Sequence, residues 1–300
     1  MNSKNVPAVN QKLAATVIVN PASRSGSKIY QALERHMGRY FDFKALFTER
    51  RGHAVELARA ASGRVIIVCG GDGTINEVAN GVADRSDIAV APTYGGSGCD
   101  LSRLFGIAKE AGERVDEIYG RLSSGNNTRI RLSLIEAGGT GRYFVGVGDA
   151  GFGAMVAGTF DRYRRLGKLG YVLGVLQTLM KIKPIEADIS VDGKPRKERA
   201  LMVMFARSMY YAGGMKVSPN SDPLSDSAQM IFLKWMSRPV FLTVFPRVYS
   251  GNHLKTAYVD ETEVRRLEIA TPGVPIDVEG EYVGLTPCVF SVTDRYISIV

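Results

Sequence analysis

The segment Val65-Ile-Ile-Val-Cys-Gly-Gly-Asp-Gly-Thr-Ile-Asn-Glu77 constrains the fold more than any other. An apolar run without polar alternation suits a strand buried on both faces, the condition of a central strand in a parallel sheet. The run stops at Gly70, Gly71, Asp72 and Gly73, and Ile75, Val78, Ala79 and Val82 then recur at helical spacing. A strand turning through glycines straight into a helix is a β-α unit, the crossover that parallel strands require. Glycines let backbone N–H groups approach phosphate oxygens closely, and a helix N-terminus adds a positive dipole. Open α/β sheets bind ligands beyond the carboxyl ends of their strands. Asp72 stands there, able to support Mg²⁺ or to receive a proton. Thr74 with Glu77 also reads as an ordinary capping box.

The same alternation runs from residue 14 to residue 122. Strands are expected over 14–19, 41–47, 64–69 and 88–93. The helix faces between them are Ile29, Leu33, His36, Met37 and Tyr40, then Ala54, Val55, Leu57, Ala58 and Ala61, and finally Val115, Ile118, Tyr119 and Leu122. Loop 20–26 follows the first strand, and a second glycine-rich turn, Tyr94-Gly-Gly-Ser-Gly-Cys-Asp100, follows the fourth. Loops at neighbouring strand ends build one crevice. No Gly-x-x-x-x-Gly-Lys-Ser/Thr sequence and no His-Arg-Asp triplet occurs, so neither a Walker-type NTPase nor a protein kinase is indicated.

After Gly125-Asn-Asn the pattern changes. Residues 129–137 alternate and 143–147 read as one strand. Helices are expected over 154–165 and 169–181. Strands dominate from Ile185, with a hairpin at Asp192-Gly193 and one helix over 239–249. The fold class is therefore α/β: an N-terminal parallel-sheet nucleotide-binding domain, 1–128, followed by a β-rich, sandwich-like domain, 129–300.

The net charge of +8 favours anionic partners: nucleotide phosphates, nucleic acid or an acidic membrane face. No nucleic-acid module accompanies that charge, so nucleic acid is disfavoured. Three cysteines without paired spacing give no disulfide framework and fit a reducing cytoplasm. The first residues show no secretory pattern. Stretch 166–182 is too interrupted by Gly167, Lys168, Gly170, Gly174 and Lys181 to span a bilayer.

Gly70-Gly-Asp-Gly-Thr-Ile-Asn-Glu-Val-Ala-Asn-Gly81 resembles the signature of the diacylglycerol kinase catalytic family, which includes bacterial lipid kinases, sphingosine kinases and ceramide kinases. The likeness runs nearly the whole length: Val19-Asn20-Pro21 with Ser25-Gly26, Thr48 before Gly52-His53-Ala54, and Gly96 through Ile107. Further on, Gly151-Phe-Gly-Ala154, Gly213-Gly-Met-Lys216, and Glu279-Gly280-Glu281 with Thr286-Pro287 also fit. The central motif is shared with NAD kinases and, in variant form, phosphofructokinases. Its continuation as Asn-Glu-Val-x-Asn-Gly and the late Gly-Glu turn favour lipid kinases. Tyr94, Cys99 and Glu279 depart from the family's proline, asparagine and aspartate.

The resemblance implies transfer of the γ-phosphate of ATP to a hydroxyl of a membrane lipid, diacylglycerol-like or sphingoid-like, with Mg²⁺. It implies a nucleotide site of Asn20, Pro21, Ser25, Gly26, Thr48, Gly70, Gly71, Asp72, Gly73, Thr74, Asn76 and Ser97. Gly98, Asp100, Arg103 and Glu279 would serve the substrate, and Glu281 would accept the hydroxyl proton, with Asp72 as the competing acceptor. Some bacterial members carry a structural Mg²⁺. Its loop aligns with 221–228, giving Asp226 as side-chain ligand and Pro223 and Ala228 as carbonyl ligands.

Arg162, Arg164, Arg165, Lys168, Lys181 and Lys183 flank the apolar stretch 169–180, an arrangement suited to an anionic membrane surface. The expected location is thus cytoplasmic with peripheral membrane association, and a homodimer is left open. The rival readings are a kinase of NAD or another soluble hydroxyl compound, and a non-catalytic nucleotide- or lipid-binding regulator.

Overall fold

The computed structural model describes residues 12–96, 98–160 and 167–300. The chain divides into two compact units. The first holds the described residues before 98, with 106–128 and 297–300; the second holds 98–105 and the described residues of 129–296. A contiguous boundary at 128/129 does not anticipate the two short exchanges. Segment 98–105 is held in the second unit because Asp100 accepts a hydrogen bond from the Gly213 N–H. Residues 298–299 pair with a strand of the first unit.

In chain order the first part comprises β1 (Leu13–Val19), α1 (Gly26–Met37), β2 (Phe41–Phe47), α2 (His53–Ala60), β3 (Val65–Cys69), α3 (Asp72–Val82) and β4 (Ala89–Pro92). The short α4 (Asp100–Leu104) belongs to the second unit, and α5 (Ala111–Ser124) returns to the first. The first unit's sheet runs β2–β1–β3–β4, all parallel, and Ser298 and Ile299 extend it beside β4. Val17, Val19, Val65, Ile67 and Cys69 pack with Leu33 and Met37 of α1 and Val115, Ile118 and Leu122 of α5. The alternate residues Ile66 and Val68 point to the opposite face and are equally buried, which is why β3 shows no polar alternation.

His36 is solvent-exposed, contrary to its expected place on the inner face of α1. The periodicity carried it along because it neighbours Met37. Tyr40 lies beyond the helix end, yet it is buried and stacks on Tyr119 at 4.3 Å.

The second unit contains β5 (Thr128–Ala137), β6 (Thr140–Phe144), β7 (Val147–Gly151), α6 (Phe152–Phe160), α7 (Gly167–Lys181), β8 (Ile185–Val191) and β9 (Lys194–Ala206). There follow β10 (Tyr210–Tyr211), β11 (Met215–Lys216), β12 (Ala228–Lys234), α8 (Arg238–Val244) and β13 (Val259–Val264). Last come β14 (Arg266–Ile269), β15 (Pro275–Val278), β16 (Glu281–Leu285) and β17 (Cys288–Ile299), the end of which, from residue 297, belongs to the first unit. The pairing is antiparallel: β9 lies among β7, β8 and β12, and β15 joins β7 to β16. One core gathers Ala200, Val203 and Phe205 with Phe144, Phe232 and Phe290, and a second gathers Leu201, Met204 and Ala206 with Phe152 and Phe241. The centre of β9 thus feeds two cores, and its apolar run 200–206 follows from that.

The single strand expected over 143–147 is instead two, broken at Val145 and Gly146. Gly146 cannot carry a side chain without meeting the Glu279 carboxylate, 2.9 Å from its hypothetical Cβ. The Asp192-Gly193 hairpin forms with both residues at positive φ, 49° and 81°. The helix expected over 239–249 is α8 followed by a 3₁₀ turn, Phe245–Ser250. Of the helix expected over 154–165, residues 161–165 lie outside the described residues.

Candidate active site

In the first unit three loops meet at the strand ends. A Cβ on Gly95 would lie 2.7 Å from the Gly70 backbone, and one on Gly96 would lie 2.6 Å from the Gly71 Cα. Only glycine permits that approach. Ser25 N–H donates to the Gly95 carbonyl at 3.2 Å, and Asn20 N–H to that of Cys69 at 2.9 Å. The Asn20 amide Nδ2 donates to Thr74 Oγ1 at 2.9 Å, tying the first loop to the start of α3. Gly26 is buried, Pro21 exposed, and Thr48, with its N–H on the Val19 carbonyl, buried at the end of β2.

Gly71, Asp72 and Gly73 are half-buried at the N-terminus of α3, where the first-turn N–H groups and the helix dipole favour an anion. Asn76 is fully buried with neither amide atom partnered among the described residues. Such an orphan calls for a polar group that the described residues do not supply. Ser97, expected in the same nucleotide site, lies outside the described residues.

Glu77 does not close its own helix as a capping box would. Its carboxylate accepts from the N–H groups of Gly52, at 2.9 Å, and Ala54, at 3.1 Å. It therefore caps α2 and ties α2 to α3, leaving Asp72 as the carboxylate at the glycine loop.

In the second unit the functional candidates are side chains. Asp100 accepts from Arg103 at 2.6 Å and from the Gly213 N–H at 2.7 Å, and the Arg103 guanidinium lies over the Tyr210 ring. Gly98 precedes them, half-buried. Glu279 sits at φ 55°, a left-handed conformation costing a non-glycine residue about 1 kcal/mol or more. It is held there from both ends: its N–H donates to the Val147 carbonyl, and its carboxylate accepts from the Gly146 N–H. Glu281 is paired with Arg142 at 2.7 Å, both side chains about a quarter exposed.

Sequence reasoning passed over what lies beneath this turn. Asp149 and Asp277, both fully buried, are bridged by the Tyr211 hydroxyl at 3.0 and 2.9 Å. The only sequence signal was an aspartate inside the small-residue run Val147-Gly-Asp-Ala-Gly151. Tyr211 also lines an apolar cavity, with Phe152, Val156, Met204, Met215 and Phe241 among its walls. His253 lines it too. Its Nε2 faces the Val217 carbonyl at 3.0 Å and so must donate, which leaves Nδ1 a bare acceptor. Burial pushes His253 down from its ordinary pKa and keeps it neutral.

Residues 14–131 match the diacylglycerol kinase catalytic domain, and residues 146–300 match the YegS C-terminal NAD kinase beta sandwich-like domain. The chain belongs to the diacylglycerol kinase family. It is 27% identical to a diacylglycerol kinase of Bacillus subtilis (strain 168), covering 95% of each chain. It is 24% identical to one of Mycobacterium tuberculosis (strain ATCC 25618 / H37Rv), over 95% of this chain and 94% of that one. A crystal structure of a diacylglycerol kinase from Bacillus anthracis str. Sterne shares the fold, with TM-score 0.70, 18% identity and 96% of each chain covered. The α/β class with a parallel-sheet core and a β-sandwich-like C-terminal domain is thereby shown, and membership in this family supports a kinase.

Among kinases of this family the structural Mg²⁺ expected at 221–228 does not fit this chain. The Arg207 guanidinium, fully buried, donates to the carbonyls of Pro223 at 2.6 Å, Ser225 at 2.7 Å and Ser227 at 2.6 Å. Asp226 is engaged by Arg131 at 2.7 Å, and Ala228 is the first residue of β12. A cation already sits among these oxygens, and it is an arginine. Burial pushes Arg207 down to about 10, which still leaves it charged at neutral pH. One departure also has a visible consequence. Cys99, where the family has asparagine, adopts φ 53°, a left-handed conformation that asparagine tolerates better.

Proposed function

We propose that this protein is an ATP- and Mg²⁺-dependent lipid kinase, in which the first unit holds the nucleotide and the second holds the lipid. The single observation that carries the lipid reading is the apolar cavity of the second unit. Its wall is methionine-rich, with Met202, Met204 and Met215, and one wall residue, Tyr211, is bonded to the network beneath the Glu279–Glu281 turn. Methionines repack around irregular apolar ligands. The cavity volume is about 70 Å³, too small for a whole acyl chain, so the wall has to give way as the chain enters. A soluble dinucleotide has no use for such a cavity.

In this reading the glycine-loop N–H groups and the start of α3 hold the phosphates, and Asn76 satisfies its amide on the nucleotide. Asp72 suits Mg²⁺, which takes one or two carboxylates together with substrate phosphates. Mg²⁺ would supply charge neutralisation on the transferring phosphoryl group. Glu281 takes the proton of the lipid hydroxyl. Arg142, bonded to its Oε2, orients the carboxylate.

No described helix is long and apolar enough to cross a membrane. Helix α7 exposes Val172, Leu173, Leu176 and Met180 near the exposed Lys181 and Lys183. We assign this face to an anionic membrane surface. Arg162, Arg164 and Arg165, expected to join it, lie outside the described residues, as does the Lys168 side chain.

The test is incubation with γ-labelled ATP and Mg²⁺ against vesicles containing diacylglycerol, a sphingoid base, ceramide or phosphatidylglycerol, with NAD in parallel. Label in one lipid and none in NAD is expected. Label in NAD alone, or nucleotide binding with no labelled acceptor, overturns the reading.

A further inference from the structure

Asp149, in the middle of β7, and Asp277, in β15, are register partners in adjacent antiparallel strands. Both carboxyls touch the Tyr211 hydroxyl. A phenol carries one proton and can donate to only one of them. The second short contact therefore requires a proton on a carboxyl, and the remaining partners say which. Asp149 Oδ1 accepts from the Ala154 N–H at 3.0 Å, and Asp277 Oδ1 accepts from the Gly280 N–H at 2.8 Å. Asp277 Oδ2 has no partner among the described residues. A proton there would donate to nothing, and a proton on Asp277 Oδ1 would make that oxygen a poor acceptor for the Gly280 N–H. A proton on Asp149 Oδ2 instead donates to the Tyr211 oxygen and leaves Asp149 Oδ1 to accept from the Ala154 N–H. Donation then runs from Asp149 to Tyr211 to Asp277, and the Asp277 carboxylate also receives the Gly280 N–H of the turn.

We propose that Tyr211, with Asp149 and Asp277, positions the turn that carries Glu279 and Glu281. The proposal rests on the reading that this turn serves the acceptor hydroxyl. Glu279 is held in a left-handed conformation, so the turn needs bonds from outside itself. Asp277 supplies one at Gly280, and Tyr211 fixes Asp277. Because the Tyr211 ring also lines the apolar cavity, a chain entering the cavity bears on the residue that sets the turn.

The charge environment is consistent. Burial raises both carboxyls, Asp149 well above the ordinary range and Asp277 to about 6, and the Tyr211 hydroxyl, donating to Asp277, opposes the rise there. The other charged groups around Asp277 are Glu281, which raises it, Arg142, which lowers it, and Glu279 in the adjoining turn. Helix α6, packed on β15, presents no titratable side chain.

Tyr211→Phe keeps the ring in the cavity wall and removes the hydroxyl. It is expected to lower kcat about tenfold or more, the scale of a misplaced reacting group, while KM for the lipid stays nearly unchanged. The acid limb of the pH–rate profile should move to higher pH, because Asp277 loses a donor. Infrared spectra of the unliganded wild type at neutral pH should show the carbonyl stretch of a protonated carboxyl. That band should vanish in Asp149→Asn and shift in Tyr211→Phe. A wild type without the band overturns the proposal, as does a Tyr211→Phe enzyme with unchanged kcat and pH profile. The infrared band reads the network whatever the acceptor, so a wild type that phosphorylates no lipid counts against the proposed function alone.

Discussion

The polar groups available to a ligand in the first unit are mostly backbone N–H groups, at the ends of β3 and β4 and the start of α3. In the second unit they are side chains: Asp100, Arg103, Arg142, Glu279 and Glu281, standing on a buried layer of Asp149, Tyr211 and Asp277. The first arrangement needs absence of bulk, since Gly70, Gly71, Gly95 and Gly96 leave no space for a Cβ against one another or against Thr74. The second needs long-range pairing, as in the Asp149–Asp277 register and the bonds of Tyr211. A backbone cradle suits the repeated, featureless oxygens of a phosphate chain. A side-chain network can be tuned to one acceptor. The contrast teaches where specificity should reside, and it can be broken or sharpened by mutation.

The largest effect on stability is expected from Arg207→Ala, which strips a buried cation from three carbonyls. Removing one side of such an arrangement costs about 3–5 kcal/mol, read as a lower midpoint in denaturant. Chelation with EDTA should leave the wild-type midpoint unchanged. A metal-dependent midpoint in the wild type would restore the structural Mg²⁺ site.

Next comes the pH dependence of the buried pair. The folded-state pKa of Asp277 is raised, to about 6, above its unfolded value near 4. Between those values the native state binds more protons than the unfolded one, so stability is present at low pH and is lost as pH rises through about 6. The loss is on the order of 3 kcal/mol, and Asp277→Asn should flatten it. A wild type that gains stability over the same window would contradict the assignment.

A smaller effect is expected from filling the cavity. Met204→Trp should reduce turnover of a long-chain lipid about tenfold, or ~1.4 kcal/mol, and spare a short-chain analogue. Equal loss on both would separate the cavity from the lipid. The smallest is Asn20→Ala, which removes the bond to Thr74 and should cost about 1 kcal/mol in nucleotide affinity, measured by titration.

The same contrast explains what could be read before the structure. Gly70, Gly71, Asp72, Gly73, Gly95 and Gly96 were legible because a close backbone approach demands glycine locally, and the all-apolar β3 announced a doubly covered strand. Glu77 was misread as a local cap because nothing in the sequence tells that α2 begins beside it. The break at Gly146 was hidden for a similar reason: Glu279, which occupies its space, lies far away in the chain. Asp149, Tyr211, Asp277 and Arg207 carry no local pattern, since each acquires its role through partners on other strands. The loop 221–228 kept the look of a metal site, and only the geometry showed Arg207 inside it.

The most direct test of this division of labour pairs two variants in two titrations, nucleotide binding and lipid phosphorylation. Glu281→Gln should lose about a hundredfold or more in turnover and bind ATP nearly as the wild type does. Asp72→Asn should lose at least as much turnover and bind Mg²⁺–ATP more weakly. If Glu281→Gln loses ATP binding in step with activity, or keeps full activity, the second unit does not activate the acceptor and the account fails.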